Sequence, residues 1–469
     1  MIAWLRDDLR LDDNPALSSA LATGLPVVIM YIWSPKELGD EAPCGAAKWW
    51  LYNALADLDN EVRRRGSEIV FISGDDTCEC LRKAARECSA EKVFRNKRHT
   101  PAAVKLDASV KRKLKTDGIE VIDESASVLR ESDEITRDRP PYKVFSAYYK
   151  AVQKRPARET APDAPANFDI PHRWPKGCSL DGLGILPLHS WTENLEKFWV
   201  PTREGLETLL QNLGNIVPNY DKSRDFPNSD ATSRLSPYLR FGQVSPSQIM
   251  RKLDELPDSP GKECFVKELH WREFARQIIV GFHDLPHKPL NPKYEKMPWN
   301  DDGAALATWQ RGITGYPIVD AGMRQLWKTG WMHNRVRMIT GSFLVKDLLI
   351  DWRKGAEWFM DTLVDADVAS NTLGWQWVAG CGPDAAPYFR IFNPVLQSRK
   401  FDADGYYIRH YVPELAYLPA EWIHCPWKAP KNILDEAGIE LGRDYPIPIV
   451  DHEFARRRAL AALKETSSG

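Results

Sequence analysis

In the first third of the chain, strand-length runs of apolar residues alternate with stretches in which apolar positions recur every three or four residues. The runs are Ile2–Leu5, Pro26–Trp33, Glu68–Ser73, Lys92–Arg95 and Ile119–Ile122. Short β-rich runs separated by helical patterns are the sequence sign of βα units, so the pattern predicts an α/β domain around a Rossmann-like parallel sheet. The first run leads into Arg6-Asp-Asp-Leu-Arg-Leu-Asp-Asp-Asn-Pro15, where Asn14 can cap a helix that Pro15 begins. That turn contains no GxGxxG, which disfavours a standard dinucleotide site. From Arg155 to about Ser190 the periodicity dissolves among Pro156, Pro162, Pro165, Pro171, Pro175 and Pro187, as in a long connector. Beyond Thr202 the helical period dominates, over Val266–Phe282, Gly322–Gly330, Val336–Ile350 and Trp352–Val364. The predicted organisation is an α/β domain over residues 1–130, a connector over 131–200 and an all-α domain over 201–469.

A length of 469 residues exceeds what one core usually holds, in keeping with two domains. The formal net charge of −2 excludes a protein coated in positive charge, so a nucleic-acid site must be a local basic patch. The apolar runs are too short to span a bilayer, and Met1-Ile-Ala-Trp-Leu-Arg lacks the basic start of a signal peptide. A cytoplasmic monomer with no membrane association is the expectation. The eight cysteines show no paired CxxC spacing, which favours free thiols over a metal site.

Three segments carry chemistry. Asp365-Ala-Asp-Val-Ala-Ser-Asn-Thr-Leu-Gly-Trp-Gln-Trp377 crowds two acids, an amide and two indoles together. Taken alone it could be a capped helix followed by two core tryptophans, but acids are rarely buried without partners and indole N–H groups need acceptors, so it also suits a polar-aromatic pocket wall. Tyr220-Asp-Lys-Ser-Arg-Asp-Phe-Pro227 with Thr232-Ser-Arg-Leu-Ser236 sets hydroxyls and backbone N–H groups before a helix, which can cap it or bind an anion. In Glu268-Leu-His-Trp-Arg272 the carboxyl, indole and guanidinium fall at i, i+3 and i+4, on one helical face.

Together with Trp4-Leu-Arg-Asp-Asp-Leu-Arg-Leu-Asp-Asp-Asn-Pro-Ala-Leu17, Thr314-Gly-Tyr-Pro-Ile-Val-Asp-Ala-Gly-Met-Arg324 and Phe389-Arg-Ile-Phe-Asn-Pro394, these strings closely resemble the DNA photolyase/cryptochrome family along essentially the whole chain. The resemblance implies light-driven repair of cyclobutane pyrimidine dimers in UV-damaged DNA, with FAD active as FADH⁻. It assigns Tyr220, Thr232, Ser233, Arg234, Leu235 and Ser236 to FAD binding, and Asn334, Arg337, Asp365, Asp367 and Asn371 to the flavin ring. Asn371 matches the amide facing flavin N5, where a neutral group supplies no titrating proton. Glu268, Trp271, Arg272, Met338 and Trp377 match positions that meet a flipped dimer; Arg335, Arg390 and Lys400 are the candidates for flanking phosphates. Trp375, Trp352 and Trp299 match the family's electron-transfer chain.

Met338 and Asn334 favour the cyclobutane lesion over the (6-4) product, whose enzymes place histidines in the pocket. A cryptochrome that signals without repair is the alternative on the same scaffold. Gly45-Ala-Ala-Lys-Trp-Trp-Leu-Tyr52 and Tyr445-Pro-Ile-Pro-Ile-Val-Asp-His452 look most like the class III bacterial subgroup. That likeness implies a 5,10-methenyltetrahydrofolate antenna near Lys48 and Trp49, with 8-hydroxydeazaflavin as the alternative; Lys48 departs from the acidic residue expected there.

Overall fold

The computed structural model describes residues 1–136, 139–186, 190–385 and 389–468; Pro187 of the expected connector lies outside the described residues. Five strands, β1 (Ile2–Leu5), β2 (Val28–Trp33), β3 (Ile69–Ser73), β4 (Lys92–Asn96) and β5 (Glu120–Glu124), form one parallel sheet in the order β3-β2-β1-β4-β5. Every residue of β1 and β2 is buried, as expected of central parallel strands covered on both faces. Ile2, Trp4, Val28, Met30, Val70, Leu81, Val93, Val110 and Leu114 share one core cluster. The first crossover begins as its sequence suggests: Pro15 is the first residue of the Pro15–Leu21 helix, and the Asn14 side chain accepts from the Leu17 N–H at 3.2 Å.

All five strands lie where the apolar runs predict, and the extension of β5 has an electrostatic cause. β5 continues past Ile122 because Asp123 is paired with Arg95 and Lys111, each at 2.6 Å. A hydrophobic run cannot register a strand prolonged by ion pairs. The connector is fastened rather than loose: Arg158 meets both carboxylate oxygens of Asp13 at 2.8 and 2.7 Å, and the Cys178 N–H donates to the Phe71 carbonyl at 2.8 Å.

Beyond the connector every regular element among the described residues is a helix, apart from an isolated bridge between Leu441 and Tyr445. The helix expected from Val266 starts at Pro260, because Ser259 caps it by accepting from the Lys262 N–H at 3.0 Å. The single helix expected over Val336–Ile350 is instead an α-helix, Asn334–Ser342, followed by a π-turn over Phe343–Asp347. Two buried polar side chains sit in that turn. Lys346 donates to the Ala379 carbonyl at 2.7 Å and Asp347 pairs with His452 at 2.5 Å.

The chain divides into two compact units. The first comprises Met1–Pro218, Ser233–His283 and Val364–Ala369; the second comprises Asn219–Thr232, Asp284–Leu363 and Ser370–Gly469. No helix among the described residues is long and apolar enough to cross a membrane.

Candidate functional site

In the first unit, three side chains hold the short segment that carries Asp365 and Asp367. The Ser236 hydroxyl donates to the Asp365 carboxylate at 2.7 Å. Arg240 donates to the Ala366 carbonyl at 2.7 Å and pairs with Asp7 at 2.9 Å. Arg276 reaches Asp367 at 3.7 Å. Asp365 is therefore buried with a hydroxyl donor, which lowers the cost of removing a carboxylate from water. The expected phosphate segment and the expected ring-side acids are joined by Ser236. Within that segment Leu235 is buried, Thr232 and Ser233 are half-buried, and Arg234 adopts a left-handed backbone with φ of 51°.

The helix Pro260–Gly281 places Glu268, Trp271 and Arg272 as its spacing predicts, all half-buried. Trp271 stacks on Phe145. Arg272 turns inward and donates to the carbonyls of Ser127 and Leu239, each at 3.0 Å. Burial, with the like charge of Arg276 beside it, brings its pKa down to about 9. The guanidinium stays charged at neutral pH, and the donors drawn here hold backbone together.

In the second unit, His333 caps the helix Asn334–Ser342 by accepting from the Arg335 N–H at 3.2 Å. Asn334 is exposed, and Arg337 and Met338 are half-buried. Arg337 donates to the Met332 carbonyl at 2.7 Å. Arg335 is committed to Asp225 at 2.6 Å and lies 4.4 Å above the Phe401 ring, whereas Arg390 and Lys400 are exposed. Tyr220 is buried, with the Arg224 guanidinium 5.3 Å from its ring.

Asn371 is half-buried on the helix Val368–Ala379, and its amide N–H donates to the Ala356 carbonyl at 3.0 Å. This leaves its carbonyl oxygen to accept from a ligand N–H, the chemistry a reduced flavin ring presents, and the hydroxyl-rich segment ending at Ser236 suits phosphates. The residues present fit FAD. Lower on the same helix, Trp375 is buried between Trp309, at 6.2 Å, and Phe359, at 5.0 Å, both edge-on. It packs against Gly355, three residues after the buried Trp352. Trp299 is half-buried, and its neighbour Asn300 is tied to the Leu348 and Leu349 backbone at 2.9 and 2.7 Å. The three relay candidates thus gather around the start of the Trp352–Thr362 helix. Trp377 is half-buried, with no aromatic ring against it among the described residues.

Lys48 and Trp49 lie on the helix Gly45–Arg64. Trp49 is only 8% exposed and lies edge-on to Trp50. Sequence reasoning missed Arg240 and Arg276, which hold the acid-bearing segment, and Phe145 beneath Trp271. Arg276 lies one helical turn after Arg272 and could have been suspected; nothing in the local sequence marks Phe145.

The chain is 44% identical over 468 residues, 98% of its length, to the deoxyribodipyrimidine photo-lyase of Agrobacterium fabrum, 97% of which is covered. It belongs to the DNA photolyase/cryptochrome family. Family models described as the FAD binding domain of DNA photolyase and as DNA photolyase match residues 265–465 and 1–166. Cryptochrome-1 of Arabidopsis thaliana is 36% identical over 99% of this chain and 70% of its own. The crystal structure of a class III photolyase from Agrobacterium tumefaciens superposes with a TM-score of 0.95 at 43% identity, covering 100% of this chain and 98% of that one. This photolyase-family protein therefore has the N-terminal parallel α/β sheet and the helical FAD-binding domain expected from its sequence.

Proposed function

We propose that this chain is a deoxyribodipyrimidine photo-lyase that uses light to split cyclobutane pyrimidine dimers in UV-damaged DNA. The supporting observation is the state of two indoles. Trp50, Trp309 and Trp352 are sealed in cores, whereas Trp271 and Trp377 keep ring surface open. An open indole can take a flipped base, and stacking contributes about 1–3 kcal/mol per base while extrusion costs least for damaged, poorly stacked bases. FAD bound in its reduced form would supply, on illumination, the electron that opens the four-membered ring and would take it back afterwards.

The protein's part is binding and electrostatics. Tyr220, Thr232, Ser233, Arg234, Leu235 and Ser236 would hold the cofactor's phosphates and chain, and Asn334, Arg337, Asp365, Asp367 and Asn371 its ring. Glu268 would hydrogen-bond the dimer where negative charge develops, a role of the oxyanion-hole type. Arg272 would keep its helix in place through the Ser127 and Leu239 carbonyls rather than reach the lesion. Arg390 and Lys400 would meet flanking phosphates, and Arg335 would do so only by loosening from Asp225. Trp375, Trp352 and Trp299 would pass electrons to an oxidised flavin.

His333 supports the cyclobutane lesion over the (6-4) product. It is the histidine nearest Met338 in sequence, yet its ring is 2% exposed, its Nδ1 accepts a backbone N–H, and burial holds its pKa at about 4. It offers no proton donor for a protonation-dependent reaction. Similarity to plant cryptochromes keeps blue-light signalling without repair as the second reading. Illuminated protein with reduced flavin should restore thymine dimers in a defined oligonucleotide and leave a (6-4) lesion untouched. Restoration of neither, despite bound flavin and DNA affinity, would favour the second reading.

A further inference from the structure

One face of Trp271 is already occupied. The Phe145 ring lies 3.7 Å from it, centroid to centroid, at an interplanar angle of 6°. Aromatic quadrupoles favour offset or edge-on contacts over so close a parallel pair, so this one must be held from outside. Phe274 meets Phe145 edge-on at 5.7 Å and Trp271 edge-on at 5.5 Å. Tyr149, one turn along the Phe145–Val152 helix, stacks on Phe145 at 5.7 Å and 16°. Gln277 then fixes that helix's approach to Pro260–Gly281 by accepting from the Tyr142 N–H at 3.1 Å and donating to the Tyr142 carbonyl at 2.8 Å. Phe145 is buried and Trp271 half-buried, and no third ring touches the indole among the described residues.

We propose that Phe145 is a positioning residue for lesion recognition, holding the Trp271 indole in one plane and leaving a single face for a flipped base. The proposal rests on reading Trp271 as a stacking surface for DNA. An indole free to change rotamer would have to be ordered at each binding event, and that cost falls only on DNA whose base reaches it. Contacts to the phosphate backbone would not register the change. Phe145 therefore affects discrimination rather than general affinity.

Phe145→Leu keeps an apolar side chain but removes the flat surface, and Phe145→Tyr restores a ring. With the flavin-loaded protein, Phe145→Leu is expected to weaken binding of an oligonucleotide carrying one thymine dimer roughly 3- to 10-fold, to leave the undamaged oligonucleotide within about 2-fold, and Phe145→Tyr to match the wild type. In fluorotryptophan-labelled protein, the fluorine resonance assigned by its loss in Trp271→Phe should shift or broaden in Phe145→Leu but not in Phe145→Tyr. An unmoved resonance in Phe145→Leu, or a moved one with an unchanged ratio of the two affinities, overturns the proposal. Equal loss of both affinities also overturns it, since that is what a merely structural residue would give. Should Phe145→Leu not fold, Phe145→Met carries the same two readouts. A wild-type protein that does not distinguish the oligonucleotides defeats the functional reading and the lesion role of Phe145 with it; the fluorine measurement, which involves no DNA, tells that failure from failure of the positioning itself.

Discussion

Glu273 is 2% exposed, accepts one hydrogen bond, from the Leu129 N–H, and keeps its other carboxylate oxygen without a partner among the described residues. Burial pushes its pKa up to about 7, against the pull of that N–H and of Arg272, Arg130 and Arg276. Between its unfolded value near 4.3 and 7, the folded protein holds a proton that the unfolded chain has released. Its contribution to stability is therefore full below about pH 4 and lost as the pH rises through 7. His270 and His333, both held at about 4 by burial, act in the opposite sense and lose their contribution as the pH falls from about 6.5 toward 4. Glu273→Gln should remove the first effect alone. Urea titrations from pH 5 to 8 should show the variant gaining on the wild type by on the order of 1–3 kcal/mol as the pH rises, and a flat difference would mean that Glu273 is ionised throughout. The sequence singled out Glu268 and passed over Glu273, because which of two acids on one helix is buried depends on Leu129 and Tyr148, supplied by segments more than a hundred residues away.

Among the elements, the Trp352–Thr362 helix inverts an ordinary rule. Replacing a mid-helix glycine with alanine usually stabilises by about 1 kcal/mol. At Gly355 an added Cβ would lie 2.1 Å from the Trp375 ring and 2.7 Å from Leu344. Gly355→Ala is expected to cost about 1–3 kcal/mol, seen as a lower thermal midpoint, and an unchanged or higher midpoint would show that the indole can yield. Periodicity alone located the strands and the helices that run through Val266, Gly322 and Trp352. It failed where polar groups decide an end: at Ser259 because a local cap leaves no apolar period, and at Asp123 and the Lys346–Asp347 turn because their partners are distant in sequence. The site residues were legible chiefly as strings shared with a family; the inward turn of Arg272 was not, since its acceptors are backbone carbonyls.

For the whole molecule, a net charge of −2 means that the proposed DNA affinity must come from local cations. Arg390→Ala and Lys400→Ala should each weaken damaged and undamaged DNA about equally and lower the slope of log affinity against log salt by about one. Arg335→Ala should do less than Lys400→Ala, because Asp225 already neutralises Arg335; equal slopes in those two variants would contradict this ordering. The relay makes a second molecular prediction. Trp299, half-buried against Met297, Leu349, Ala459 and Ala462, is the solvent-side candidate of its three. Trp299→Phe should slow photoreduction of oxidised flavin at least tenfold, about 1.4 kcal/mol of barrier, with flavin content and thermal midpoint unchanged. A normal rate would remove Trp299 from the path.

The first unit is assembled from three separate stretches of chain, and the order in which a ribosome releases them matters. Ser236, Arg240 and Arg276 emerge well before Asp365, Ala366 and Asp367, by about 5–26 seconds at roughly 5–20 residues per second. Until then Ser236 lacks its Asp365 acceptor, and Arg240 and Arg276 have only their earlier partners, Asp7 and the Ser127 carbonyl. A nascent chain halted before Val364 would therefore carry a finished sheet but neither Asp365 nor Asp367, so completion of the first unit is timed by synthesis of residues deep in the second half of the protein.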